Sequence, residues 1–368
     1  MVPEGKDPIP VDQNGTNRGT TEARGELPPA GESVPAVENR STRVTPPSDL
    51  SWAVEEDGIL DLTSAQLHDL KDVELSPSLI ELDLTANRLT KVDERIGQMT
   101  VLKKLSLRQN LFQDAAVETL RRWPALFGLQ ELVLRDNKLT KVPILEVFAC
   151  LTVLDISFNK ISSMKGVSQV TDKLTELYLS NNDVVEITEV DHLKELQILE
   201  LGANRIRELN GIQNLTQLKE LWLGRNRIKT VDMCGLKSLT RISVQNNRLT
   251  SMLGFQECVL LEELYLSNNF ISVMEGLSTL TKLRILDVSS NKLETIQDIG
   301  NLNKLEDLWL NDNNISSLDE LETALQGVKG SLTTIYLVRN PCARNLEYVR
   351  ILRAMIPKLI QIDSQFFD

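Results

Sequence analysis

Histidine is almost missing from this chain of 368 residues: His68 and His192 stand far apart, with no cysteine or further histidine near either. That removes the basis for a zinc site or a Ser-His-Asp constellation. There is no glycine-rich phosphate loop and no dinucleotide fingerprint, so no catalysis and no cofactor are expected. The four cysteines, Cys150, Cys234, Cys258 and Cys342, form no close pair. They fit free thiols in a reducing compartment and not a disulfide framework. No apolar run approaches the ~18–20 residues of a membrane span, and Met1–Pro10 lacks the apolar stretch of a signal peptide. The expected setting is cytosol or nucleus, with no membrane partner. Cations are also short: 40 Lys and Arg against 52 Asp and Glu give a net charge of −12. Such a chain is a poor ligand for nucleic-acid phosphates, which call for Lys and Arg. It suits a basic or mixed-charge protein partner, and equally the plain solubility that mild acidity provides.

Proline is unevenly spread. Eight of the thirteen prolines fall in residues 1–50, which carry little aliphatic periodicity and a net charge of −3. That segment is expected to be disordered.

What the rest of the chain has is a period. Asparagine recurs at Asn87, Asn110, Asn137, Asn159, Asn182, Asn204, Asn226, Asn247, Asn269, Asn291, Asn313 and Asn340, at spacings of 21–23 residues with two gaps of 27. Each closes an apolar-x-apolar-x-x-Asn string, as in Leu199-Glu-Leu-Gly-Ala-Asn204. Leu199 and Leu201 alternate with Glu200, the period of a short strand. An asparagine amide both donates and accepts, so a stacked column of asparagines can satisfy backbone groups in the turn after each strand. Later aliphatics such as Ile206, Leu209, Ile212 and Leu215 point inward from an irregular or 3₁₀ return arm. One such unit cannot bury its leucines alone, but a stack can. The fold expected is an α/β leucine-rich-repeat solenoid: a curved arc with a parallel concave sheet of about twelve strands, spanning roughly 50–55 Å.

The ends and two return arms depart from the period. Residues 51–80 read as a cap and a degenerate repeat, with Leu60 standing 22 residues before Leu82, Gln66 in place of the turn asparagine, and Trp52 over the end. Residues 81–340 carry the repeats, and 341–368 read as a C-terminal cap. In that cap Leu346, Val349, Leu352, Met355 and Ile356 make a helical stripe stopped by Pro357, with a last short strand through Leu359 and Ile362. In the long arm after Asn110, Asp114 is placed to cap a helix that Pro124 ends. In the arm after Asn313, Ser317 and Glu320 form a capping-box pattern.

The residue between the two strand aliphatics points away from the core. Read in order, that row is Asp83, Ser106, Val133, Asp155, Tyr178, Glu200, Trp222, Ser243, Tyr265, Asp287, Trp309 and Tyr336. The scaffold does not ask for Trp or Tyr there. Rings on a sheet can pack on cross-strand neighbours for stability alone. They are also the residue types that dominate binding hot spots. Acids alternating with rings along one face select Lys or Arg on a partner. Candidate partner-binding residues are therefore Asp155, Tyr178, Glu200, Trp222, Tyr265, Asp287, Trp309 and Tyr336, with Asp307 beside them.

The strings Leu154-Asp-Ile-Ser-Phe-Asn159, Leu199-Glu-Leu-Gly-Ala-Asn-Arg-Ile206, Leu308-Trp-Leu-Asn-Asp-Asn313 and Ile335-Tyr-Leu-Val-Arg-Asn-Pro341, followed by the capping helix and Gln361-Ile-Asp363, closely resemble the leucine-rich-repeat regulatory subunits of protein phosphatase 1, the regulatory subunit 7 family. The resemblance covers about residues 58–368. It implies a non-catalytic protein that binds the phosphatase catalytic subunit on its concave face, with contacts falling on Asp155, Tyr178, Glu200, Trp222, Asp287, Asp307, Trp309 and Tyr336. It also implies a ternary complex with a second inhibitor protein, and roles in nucleus and cytoplasm. A scaffold of the same repeat class serving another nuclear or cytosolic client, such as a ribonucleoprotein, is the alternative. The free chain is expected to be a monomer.

Overall fold

The structure, a computed structural model, describes residues 56–367. The expectations for residues 1–50 and for Trp52 lie outside the described residues. One sheet of fifteen strands runs in strict sequence order. Strand β1 (Ile59–Asp61) is followed by twelve more, from β2 (Glu81–Asp83) to β13 (Thr334–Tyr336), one per repeat. All pair parallel and in register, so Leu199 meets Leu221 and Glu200 meets Trp222. The short β14 (Gln361–Ile362) continues the parallel run, and β15 (Gln365–Phe366) turns back antiparallel against it. The sheet is thus longer than the twelve strands expected, by its first strand and this final hairpin.

The asparagines do the work their chemistry suggests. Asn204 donates from Nδ2 to Leu201 O at 3.1 Å and to Leu179 O, one repeat back, at 2.9 Å. Its Oδ1 accepts from Val184 N at 2.9 Å. The residue before each asparagine has a left-handed backbone, for example Asn181 (φ 53°) and Asn246 (φ 53°), which is why the chain needs a side chain to satisfy the turn. At the N-terminal end the register places Ala65, not Gln66, opposite the asparagine column, since Leu60 pairs with Leu82. Ala65 is buried, and Asn87 reaches back to bond Leu67 N and Leu62 O in that first turn.

Inside, one continuous apolar cluster runs from Leu60 to Ile362. Each leucine removed from water contributes ~1.5–3 kcal/mol, and each is shared between neighbouring repeats. The return arms are mostly turns, with 3₁₀ segments such as Val167–Gln169. Acids on that side cap the previous repeat: Glu189 accepts from Gly166 N at 2.7 Å, and Asp298 from Leu277 N at 2.7 Å. Part of the chain's negative charge is therefore structural. At Gly254 (φ +109°) a Cβ would lie 2.1 Å from Val231 O, so only glycine fits where the arm passes its neighbour.

Three helices interrupt the pattern. Helix α1 (Asp114–Val117) is capped by Gln113 without a side-chain bond, and Pro124 opens a further 3₁₀ segment after Glu118–Arg122. Asp114 is not the cap. Its carboxylate instead accepts from Thr140 N at 2.9 Å and from the Thr140 hydroxyl, tying the long arm to the next repeat. In the second long arm, Ser317 Oγ accepts from Glu320 N at 3.3 Å at the mouth of α2 (Asp319–Leu325), half of the capping box. Helix α3 (Tyr348–Met355) seals the end with Leu352 and Ile356 buried. Leu346 does not join its stripe: it precedes the helix and is 97% exposed. Asp363 stands one place after Ile362, opposite Tyr336. Its carboxylate accepts from Leu337 N and Val338 N at 2.7 and 2.8 Å, where a backbone carbonyl of the next strand accepts in other repeats, while the Tyr348 hydroxyl donates to its other oxygen.

Candidate functional site

Because each strand from β1 to β13 is three residues long with its middle residue buried, the sheet's outer face carries two columns. The third residue of each strand gives the row from Asp83 to Tyr336. The first gives a parallel column that includes Glu176, Glu220, Arg241, Glu263 and Asp307. The two columns are wired together. Tyr178 Oη donates to Glu176 at 2.8 Å, Trp222 Nε1 to Glu220 at 3.1 Å, and Tyr265 Oη to Glu263 at 2.9 Å. In each case the glutamate stands two residues before the ring, so one three-residue string, Glu-Leu-Tyr or Glu-Leu-Trp, fixes the ring's tilt. Burial, then the glutamate bond, pushes the Tyr178 and Tyr265 hydroxyls well above their usual range. They remain donors at any physiological pH.

Arg241 joins two of these strings. Its guanidinium binds Glu263 through Nε at 2.6 Å and Nη2 at 3.0 Å, and Glu220 through Nη1 at 3.1 Å. It also lies 5.9 Å over the Trp222 ring. Burial alone would raise the Glu263 carboxyl, but the bonds from Arg241 and Tyr265 outweigh it and hold the pKa below the usual range. The middle of the face is thus a fixed array: ring, acid, cation, acid, ring.

The C-terminal part differs. Trp309 and Tyr336 meet edge to face, with centroids 5.8 Å apart and planes at 69°. Asp307 stands where a glutamate stands in the other strings and is one methylene shorter. The Thr334 hydroxyl bonds it, and burial raises its pKa. Trp309 Nε1 is buried and makes no hydrogen bond among the described residues, although the residue keeps some surface.

The nine residues singled out in the sequence all lie on this face, but they do not present themselves equally. Tyr178, Glu200, Trp222, Asp155, Asp307, Trp309 and Tyr336 are half-buried and keep accessible surface. Tyr265 and Asp287 were expected as part of an open row, yet they are 2% and 3% exposed. Asp287 turns its carboxylate onto Ser289, accepting from N at 3.0 Å and Oγ at 2.6 Å, and burial pushes its pKa up. Asp155 makes the same turn bond to Ser157 N at 2.9 Å while keeping an oxygen 3.8 Å from Arg135. The acids of the row therefore serve the turn as well as any partner. Sequence reading overlooked the first-residue column, Glu176, Glu220, Arg241 and Glu263. Its signal was present, because Glu176-Leu-Tyr178, Glu220-Leu-Trp222 and Glu263-Leu-Tyr265 recur on the repeat period.

Among the described residues no group of three or more His, Cys, Asp or Glu is placed to hold a metal ion, and no helix is long and apolar enough to cross a membrane. Family profiles for leucine-rich repeats match residues 194–249 and 260–301. The protein phosphatase 1 regulatory inhibitor subunit PPP1R7 homolog of Arabidopsis thaliana is 60% identical over 313 residues, covering 85% of this chain and 95% of that one. The chain belongs to the leucine-rich-repeat regulatory subunits of protein phosphatase 1. The fold is shared more widely. The leucine-rich-repeat protein LIC12759 of Leptospira interrogans superposes with a TM-score of 0.59 at 26% identity, over 87% of this chain and all of that one. The internalin inlF of Listeria monocytogenes gives 0.62 at 23% identity, over 79% of this chain and 88% of that one.

Proposed function

We propose that this chain is a non-catalytic regulatory subunit that holds the catalytic subunit of protein phosphatase 1 against the outer face of its sheet. The observation that carries the reading is the set of half-buried rings, Tyr178, Trp222, Trp309 and Tyr336, whose tilts are fixed by the chain's own bonds and contacts while their faces remain accessible. Rings held in place before binding lose little freedom on docking. Glu200 stands between the first two and Asp307 beside the third, placed to meet Lys or Arg on the partner. The kinship with a phosphatase 1 regulatory inhibitor subunit supplies the partner's identity.

The chain adds no catalytic group of its own. It acts by covering part of the catalytic subunit, or by binding one conformation or metal-loading state of it more tightly than another, which shifts the population. A second inhibitor protein joins on the catalytic subunit in a ternary complex. The free chain is a monomer and works in nucleus and cytoplasm. Pull-down of purified catalytic subunit tests the reading: Glu200→Lys, folded by circular dichroism, is expected to lose capture. Capture equal to the parent's, or capture of other proteins in place of the phosphatase, would point to a scaffold for a different client.

A further inference from the structure

The flank where the chain leaves each strand carries a surface that phosphatase binding by the sheet face does not use. The backbone N–H groups of Arg205, Arg227 and Arg248 donate to Val184, Ile206 and Ile228, one repeat back, each at 2.8 Å. These residues are therefore stacked rung on rung, at the ~4.8 Å of adjacent strands. Lys138, Lys160 and Lys292 occupy the same rung in other repeats, and all six are exposed. Arg207 and Lys229 lie two residues further along the same turns, also exposed. From Arg205 to Arg248 this is a cationic stripe on a chain of net charge −12, bounded in the column by Asp183 on one side and Phe270 on the other.

Its charges are largely uncompensated. Asp183 lies in the column and pairs with Arg205 at 2.6 Å. Among the described residues no ion pair reaches Arg207, Arg227, Lys229 or Arg248. On the sheet face, by contrast, Arg241 has a glutamate on each neighbouring strand. Like charges in register on adjacent strands repel, so the stripe opposes the stacking that builds the solenoid.

We propose that this flank docks an acidic polypeptide tract, a run rich in Asp and Glu on a partner. An extended run advances ~3.3–3.6 Å per residue, finer than the rung spacing, so some carboxylate lies within reach of every rung whatever the register. Guanidinium groups take carboxylates bidentately. A peptide fits better than a nucleic acid. The rungs Arg205, Arg227 and Arg248 carry no ring, and the column's ring, Phe270, lies beyond them with Lys292 over it at 5.1 Å, so bases have no row of stacking platforms along the cations.

The test is fluorescence anisotropy of a labelled oligoglutamate peptide titrated with the full chain. The parent is compared with Arg227→Glu/Arg248→Glu, and with Lys282→Glu/Lys304→Glu, which makes the same charge change on the opposite flank. Binding is expected to weaken with added salt. It should fall by roughly tenfold or more in the arginine variant and by about twofold or less in the lysine variant. Capture of the phosphatase catalytic subunit should be unchanged in the arginine variant, which separates this surface from the sheet face. Should that variant lose its fold by circular dichroism, Arg227→Gln/Arg248→Gln replaces it. Equal losses in both variants, no binding by the parent, or tighter binding of a labelled single-stranded oligonucleotide at the same salt would each overturn the proposal.

Discussion

Replacing Asn226 by alanine removes one rung of the asparagine column, and the cost can be worked bond by bond. Asn226 Oδ1 accepts from Ile206 N at 2.9 Å, and its Nδ2 donates to Leu201 O at 2.9 Å and Leu223 O at 3.1 Å. Leu201 O keeps a second donor in Asn204, and Leu223 O keeps one in Asn247. Those two losses cost ~0.5–1.5 kcal/mol each. Ile206 N has no such reserve, and a buried N–H left unpaired costs ~1–3 kcal/mol. The sum is about 2–6 kcal/mol, in a solenoid where each repeat is held by its neighbours. Urea denaturation followed by circular dichroism is the assay, with the slope reporting whether the array still unfolds as one unit. Asn226→Asp sharpens it. The carboxylate still accepts from Ile206 N but sets negative oxygen against two carbonyls, so the loss at neutral pH should be at least as large. Part of it should return in acid, where the protonated group can donate again. A loss below ~1 kcal/mol for alanine with an unchanged slope, or no pH dependence for aspartate, would refute the claim that side-chain amides hold these turns.

Three other outcomes follow from the same structure. The buried Asp287 carboxyl has its pKa raised by burial, so the folded state holds that proton longer than the unfolded state, and stability falls as pH rises through the folded value. Asp287→Asn should therefore raise Tm at neutral pH and lose its advantage below the ordinary carboxylate range, as checked by thermal melts against pH. Arg241→Met strips Glu263, whose side chain is only 14% exposed, of its cation. Between the values for surface and buried pairs, the loss should be ~1–3 kcal/mol. Because Glu263 now titrates below its usual range, the stability it contributes is lost as pH falls, and the variant should show a flatter acid limb in denaturant titrations. Leu352→Ala, at the buried centre of α3, should cost ~2–5 kcal/mol and raise hydrogen exchange first in the last repeats.

The fold was legible because its determinants are local and repeated. An asparagine every 21–23 residues fixes strand phase, turn and stacking at once, and the same phase names the residues of the outer row. What was not legible depends on residues a repeat apart. Tyr178 and Tyr265 close the same Glu-Leu-Tyr string, yet Tyr265 is buried and Tyr178 is not, so the string alone does not decide which ring shows surface. Asp114 reads locally as a helix cap, yet its partner Thr140 lies 26 residues on, and that competing acceptor role wins. Gln66 reads as the turn residue because no asparagine marks the first repeat; the pairing of Leu60 with Leu82 places Ala65 there instead. The ring–glutamate strings could have been read from spacing alone. The bridging by Arg241 could not, since it joins strands on either side of its own.

The central claim, that rings and acids on the sheet's outer face bind the phosphatase, is met most directly by calorimetric titration of purified catalytic subunit into Trp309→Ala. Trp309 is the ring with a buried, unbonded N–H and an edge-to-face neighbour in Tyr336. Its truncation is expected to weaken binding by ~2 kcal/mol or more, about thirtyfold, with the circular dichroism spectrum unchanged. Affinity within about twofold of the parent's, from a folded variant, would contradict it.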